Sequence, residues 1–364
     1  MFAKKRTISS NSRLFIFILA ISLVLSTAGC GSSPASSGGT ATETTKPIEL
    51  KLASFFPATH PVETEITQGW IKAVDKATNG RVKVTSYPAE TLLKSAETYE
   101  GVVKGVSDIG MSAYAYTRGR FPVVETFLLP GIINKNSMSA SYSLMEGIKT
   151  LNPKELQDTH HLFSWASGPG NLMSKAPYRE LKDIQGLQIG ASTGLVGDAL
   201  KLLGATPITM PMPEWYEALQ KGIMKGGLSA GELLKGFRLG DVTGDYITQT
   251  PFIYNQAFFV TMNLDKWNSI PADVQKQITQ ATEDYYGGVV PGMWDKINAA
   301  GVKYTQDKKK VEIITLSESE TAKWLDLLKP MHTDYITVLN GKGLEGEKIL
   351  TAVKDIVDKT NKKY

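Results

Sequence analysis

The sequence predicts an α/β fold in two lobes. Short alternating apolar segments recur between helical stripes, and roughly 315 residues remain after a leader and a linker, more than one core usually serves. A helical pattern starting at Pro271 is also long enough to reach across both lobes.

The first 29 residues hold Lys4, Lys5, Arg6 and Arg13, no acid, and an apolar run over 14–25. That is the layout of an export signal. At ~1.5 Å per residue the run is too short to cross a ~30 Å hydrocarbon layer. Cys30 is the only cysteine and follows Thr27-Ala28-Gly29. This ending resembles a bacterial lipobox, which implies lipidation at Cys30 and a membrane anchor on the outer face of the cytoplasmic membrane or in the periplasm. Residues 30–47, rich in Ser, Gly, Thr and Ala, have little to bury and read as a flexible tether.

Removing the 4 basic residues of the leader from 40 leaves 36 Lys and Arg against 36 Asp and Glu. A balanced chain lacks the concentrated basic surface that nucleic acid requires. One cysteine allows no disulfide framework, and His60, His160, His161 and His332 are a sparse supply of metal ligands. No cofactor or metal is expected.

Along the folded part, Leu50 and Leu52 alternate with charged residues as a first strand. Val62, Ile66, Trp70 and Val74 form a helical stripe that stops at Asn79-Gly80. Val82 and Val84 mark a second strand, followed by a helix over 95–104 and a strand over 109–112. The scheme recurs with strands at 161–165, 187–191 and 208–210 and helices at 196–203 and 214–222. Strands separated by helices predict parallel sheets. The pattern from Pro271 passes Val274, Ile278 and Ala281, then Gly287, Gly288 and Pro291, before Trp294 and Ile297, and predicts a kinked helix. In such sheets ligands bind beyond the carboxyl ends of strands, here 55–60, 112–116, 167–171, 190–193 and 212–215.

Six segments in this order, GRVKVTSYP (80–88), VVKGVSDIG (102–110), YTRGRFP (116–122), ELKDIQGLQI (180–189), MPMPEWYEALQKG (210–222) and MNLDKWNSIPADVQKQI (262–278), resemble the solute-binding component of TRAP transporters, the dicarboxylate-binding DctP family. The resemblance implies a two-lobed, periplasmic-binding-protein-like α/β fold with a hinge and a lobe-spanning helix. Lobe I would comprise 48–167 with 256–295, and lobe II 168–255 with 296–364. It further implies a non-enzymatic receptor that passes a small organic solute to membrane permease subunits.

The resemblance also places an arginine for a ligand carboxylate where this chain has Gly190, and a second basic residue where it has Gly170. Lys94, Arg118 and Lys225 are candidate replacement cations, each more simply read as a surface residue. Without one, a neutral or cationic solute competes with an acid. The family's Asp-Gly is here Lys225-Gly226. Proposed liners are Phe56, Tyr114, Trp165, Met212, Trp215, Ser229 and Asn255, with core packing the plainer reading of Trp165 and Met212. Glu232 reads as an exposed acid at a helix start, with a cleft-facing carboxylate as the alternative. Gly227 to Gly231 matches G-x-S-x-G, which would make Ser229 a hydrolase nucleophile, but only His332 follows to complete a triad. An ATP-driven importer's receptor or a chemoreceptor is the remaining alternative.

Overall fold

The computed structural model describes residues 46–364, so the leader, Cys30 and most of the tether lie outside the described residues. The first four strands are Ile48–Ser54 (β1), Val82–Tyr87 (β2), Ile109–Ala113 (β3) and Thr159–Ala166 (β4). The chain then builds a second sheet from Asn171–Ser174 (β5), Gln188–Ala191 (β6), Thr206–Thr209 (β7), Gly226–Ser229 (β8) and Tyr246–Gln249 (β9). It returns with Ala257–Asn263 (β10) and later adds Glu312–Thr315 (β11) to the second sheet. The orders are β2-β1-β3-β10-β4 and β11-β9-β5-β8-β6-β7.

Both sheets are mixed, which corrects the all-parallel expectation. β10 runs antiparallel to β3 and β4, and β5 antiparallel to β8 and β9, among otherwise parallel pairs. The cause is the route of the chain. β4 and β9 end where the two sheets meet, so β5 and β10 begin there and run against neighbours whose carboxyl ends face the junction. The two crossing segments are hydrogen-bonded to each other, Ser167 N–H to the Gln256 carbonyl at 2.8 Å and Gly170 N–H to the Tyr254 carbonyl at 3.2 Å.

The helical stripe at 62–77 forms, opening as a π-helix over Val62–Thr67 and continuing as an α-helix over Gln68–Ala77. Its Val62, Ile66, Trp70 and Val74 pack with Leu50, Leu52, Ile109 and Val260 in the first core. Ile189, Ala191, Val196, Leu200 and Leu228 form the second. The long helix expected from Pro271 forms as Ala272–Gln306, with Pro291 inside it. Proline removes one donor there, and the donorless turn begins at the exposed Gly287, whose carbonyl water can satisfy. This helix touches Gln68–Ala77 and Ser137–Leu151 of the first half and Leu233–Gly236 of the second.

The C-terminal grouping also differs from expectation. β11 and helix Glu318–Leu328 go with the second sheet, but helices Pro330–Gly341 and Gly346–Lys363 pack on Pro122–Thr126 and Ser137–Leu151. Their Tyr335, Leu339, Leu350, Val353 and Val357 share a core with Phe121 and Phe259, so their apolar stripe is satisfied by the first half. Among the described residues no helix is long and apolar enough to cross a membrane.

Candidate functional site

Strand carboxyl ends from both sheets converge on one small space. Phe55 and Phe56 follow β1, Tyr116 follows β3, Met212 follows β7, Glu232 follows β8, Tyr254 and Gln256 come from the return crossing, and Phe258 from the start of β10. Phe237 enters from the end of the short helix Leu233–Gly236. The cavity these residues enclose is about 10 Å³, the room of one water molecule. The two halves are therefore closed upon each other.

The walls are aromatic. Phe237 lies 6.4 Å from the rings of both Phe55 and Phe56 and 5.4 Å from His60. Phe258 stacks on Trp294 at 4.8 Å and on Trp165 at 5.1 Å. Trp165 is thus a second layer behind Phe258, fully buried, and its Nε1 has no hydrogen-bond partner.

A polar contact joins the halves. His60 Nε2 stands 2.8 Å from Glu232 Oε2, with both residues buried. The Val62 N–H donates to His60 Nδ1 at 3.1 Å, which leaves the ring proton on Nε2 and makes the Glu232 oxygen the acceptor. The expectation of an exposed helix-start acid at Glu232 is corrected, because Gly231 sits tightly against Gly301 of the long helix and the Glu232 N–H is held by Asn298 Oδ1 at 3.1 Å. The halves also meet through the Tyr116 hydroxyl, which accepts the Met212 N–H at 3.2 Å. Gln256 Oε1 in the wall and Asn255 Oδ1 next to it in the chain are buried without partners, and the Ser192 and Ser229 hydroxyls lie beside the Tyr254 hydroxyl. Burial pushes the Tyr254 hydroxyl up to about 12, offset in part by the nearby Ser229 and Ser192 hydroxyls.

Gly190 and Gly170 are small because neighbours occupy the room a side chain would take. A Cβ on Gly190 would lie 2.6 Å from Met224 Sδ and 3.1 Å from Trp215 Cη2, and one on Gly227 would lie 2.1 Å from Trp215 Cζ3. The Trp215 indole thus covers two adjacent strands, held by Nε1–H donating to the Met210 carbonyl at 3.0 Å. At Gly170 a Cβ would meet Tyr254 Cδ1 at 2.4 Å and the Ser229 carbonyl at 2.7 Å.

Phe56, Met212, Ser229 and Asn255 are therefore gathered at or beside the junction, and Trp215 beneath Gly190. Tyr114 is elsewhere, buried against Phe121 and Phe259 with its hydroxyl 2.7 Å from Ser164 Oγ. None of the three candidate cations lines the aromatic space. Lys94 pairs with Glu90 at 3.2 Å and is exposed. Arg118 reaches Asp198 at 3.9 Å in a separate groove of about 240 Å³ beside Thr193 and Tyr335. Lys225 donates to the Gly222 carbonyl at the surface. His332 bonds the Pro130 carbonyl at 2.8 Å, so the histidine a Ser229 triad would need is engaged elsewhere. Sequence reading missed Phe237, Gln256 and Trp294. His60 falls within the strand end 55–60, and its partner Glu232 is distant in sequence.

The family described as bacterial extracellular solute-binding protein, family 7 (DctP), matches residues 52–337. A TRAP periplasmic solute binding protein from Desulfovibrio salexigens DSM2638 is 33% identical with a TM-score of 0.74, over 86% of this chain and 97% of that one. A marine metagenome TRAP solute binding protein specific for aromatic acid ligands is 28% identical with a TM-score of 0.81, over 86% and 99%. The C4-dicarboxylate-binding periplasmic protein DctP of Rhodobacter capsulatus is 26% identical over 284 residues, 76% of this chain and 84% of that protein.

Proposed function

The chain belongs to the bacterial extracellular solute-binding proteins of family 7, and from that premise we propose that it captures its solute in the aromatic space between the two sheets. It is a solute receptor of the TRAP type. The crossings at 167–170 and 250–256 act as the hinge between lobe I and lobe II, and the halves close over the solute. Phe56, Met212, Ser229, Asn255 and Glu232 contact it, and Trp215 shapes the floor. The loaded receptor docks on membrane permease subunits, and a lipid on Cys30 holds it at the membrane.

The observation that carries this reading is the aromatic space walled by residues of both sheets, at a junction bonded from both sides. The guest is not held by the family's guanidinium, since Trp215 and Tyr254 fill that room. The purified protein is tested by thermal shift against anionic, neutral and cationic solutes, with X-ray scattering in parallel. A ligand at 100 times its dissociation constant stabilises by ~2.7 kcal/mol and should also shift the scattering profile toward the compact form. A panel in which nothing stabilises and nothing compacts would sink the receptor reading.

A further inference from the structure

We propose that the solute is a small organic cation bearing an ammonium group, with the Glu232 carboxylate as its counter-ion. This rests on the receptor reading above and goes further by fixing the charge of the guest.

The His60–Glu232 contact is not a compensated ion pair. Because Nδ1 already accepts the Val62 N–H, a second proton on the ring would face that donor, so His60 is the neutral tautomer. When Glu232 is ionised, the contact therefore leaves its negative charge uncompensated in the wall of the cavity, where the residue is 3% exposed. Among the described residues no lysine or arginine lies within ion-pair distance of it. A buried charge without a counter-ion is costly unless something else supplies the opposite sign.

The rest of the wall suits a cation. Phe55, Phe56, Phe237 and Phe258 line the space, and aromatic rings attract ammonium groups through their quadrupoles. Gln256 Oε1, buried and lining the space, and Asn255 Oδ1 beside it are acceptors without donors, and an ammonium N–H supplies one. An anion would stand beside the Glu232 carboxylate with no guanidinium to offset the repulsion. A neutral solute would leave the charge as it is. Since the closed space holds about 10 Å³, any such guest enters only when the halves part or Phe237, the partly exposed wall, turns out.

The test is calorimetric titration of the purified protein with choline, ethanolamine and other primary, secondary and quaternary ammonium compounds, alongside benzoate and 3,3-dimethylbutan-1-ol, the uncharged isostere of choline. The expected result is saturable binding of at least one cation, with its uncharged isostere weaker by roughly tenfold or more. Glu232→Gln keeps an oxygen for the His60 N–H and should weaken the cation by roughly 30-fold or more. Equal binding of cation and isostere, or an unchanged affinity in the variant, overturns the assignment. Should the variant not fold, the cation–isostere pair on the unaltered protein decides. Binding of benzoate alone defeats the charge assignment while the receptor reading stands. Failure of every solute, with an unchanged scattering profile, defeats both.

Discussion

The Tyr116 hydroxyl and the Met212 backbone N–H meet at 3.2 Å across the junction of the two sheets. The bond costs the scaffold nothing within either half, since the loops after β3 and β7 are each built without it. Its loss should therefore be felt in the closed form. A neutral hydrogen bond contributes about 0.5–1.5 kcal/mol net, so Tyr116→Phe should speed ligand release by roughly 2–10-fold. Stopped-flow dissociation measures this, and an unchanged rate would mean the bond is absent from the liganded form.

Restoring the family's arginine should fail. Gly190→Arg drives a side chain into Met224 and Trp215, and overpacking typically costs about 1–3 kcal/mol. The melting temperature should fall by several degrees, at roughly 2–4 °C per kcal/mol or less for a chain of this length, and benzoate should gain no affinity. A well-folded variant that binds benzoate would show that the indole moves aside easily.

Two glycines of the long helix should respond in opposite directions. A Cβ on Gly301 would come within 2.1 Å of the Gly231 carbonyl, so Gly301→Ala pushes the Glu232 loop away and lowers both stability and ligand affinity. Gly287 is exposed with nothing within 4 Å. There alanine should stabilise by about 0.5–1 kcal/mol through helix propensity alone. Paired melting curves decide, and a stable Gly301→Ala protein would contradict the close packing.

Much of this scaffold is legible in the sequence, for a physical reason. Where one face of a strand is buried and the other wet, as at Leu50 and Leu52 or Val82 and Val84, alternation reports it. The helix expected over 196–203 forms as Gly194–Leu202, where Thr193 Oγ1 caps it by accepting the Val196 N–H. β10 is buried over nearly all its length and therefore does not alternate, and β8 is Gly-Gly-Leu-Ser, with almost no side chain to read. The site is less legible still. Gly190 stands out in the sequence only by resemblance to the family, while its packing partners Met224 and Trp215 lie 34 and 25 positions later and reach it across the register of β6 against β8. His60 and Glu232 are 172 residues apart, and no local pattern links them.

The pH dependence of stability has two opposing sources. Burial pushes the Glu155 carboxyl up to about 7, although the Val123 and Val124 N–H groups bond it. The folded form then holds a proton the unfolded form has lost, so this group reduces stability as pH rises from about 4.5 to 7. Burial lowers both His160 and His161 to about 4. There the unfolded form holds the extra proton, so their contribution increases stability as pH rises from about 4 to 6.5. Glu155→Gln removes the opposing effect, and its melting temperature relative to the parent should rise between pH 5 and pH 8. A constant offset across that range would refute the assignment.

Of the six tryptophans in the chain, Trp165 and Trp294 both face Phe258, which lines the cavity, and neither indole N–H has a partner. Indole emission responds to nearby charge and water, and both change when a guest replaces the solvent admitted on opening. The receptor therefore carries its own optical gauge of occupancy, and Trp294→Phe would show which of the two rings reads it.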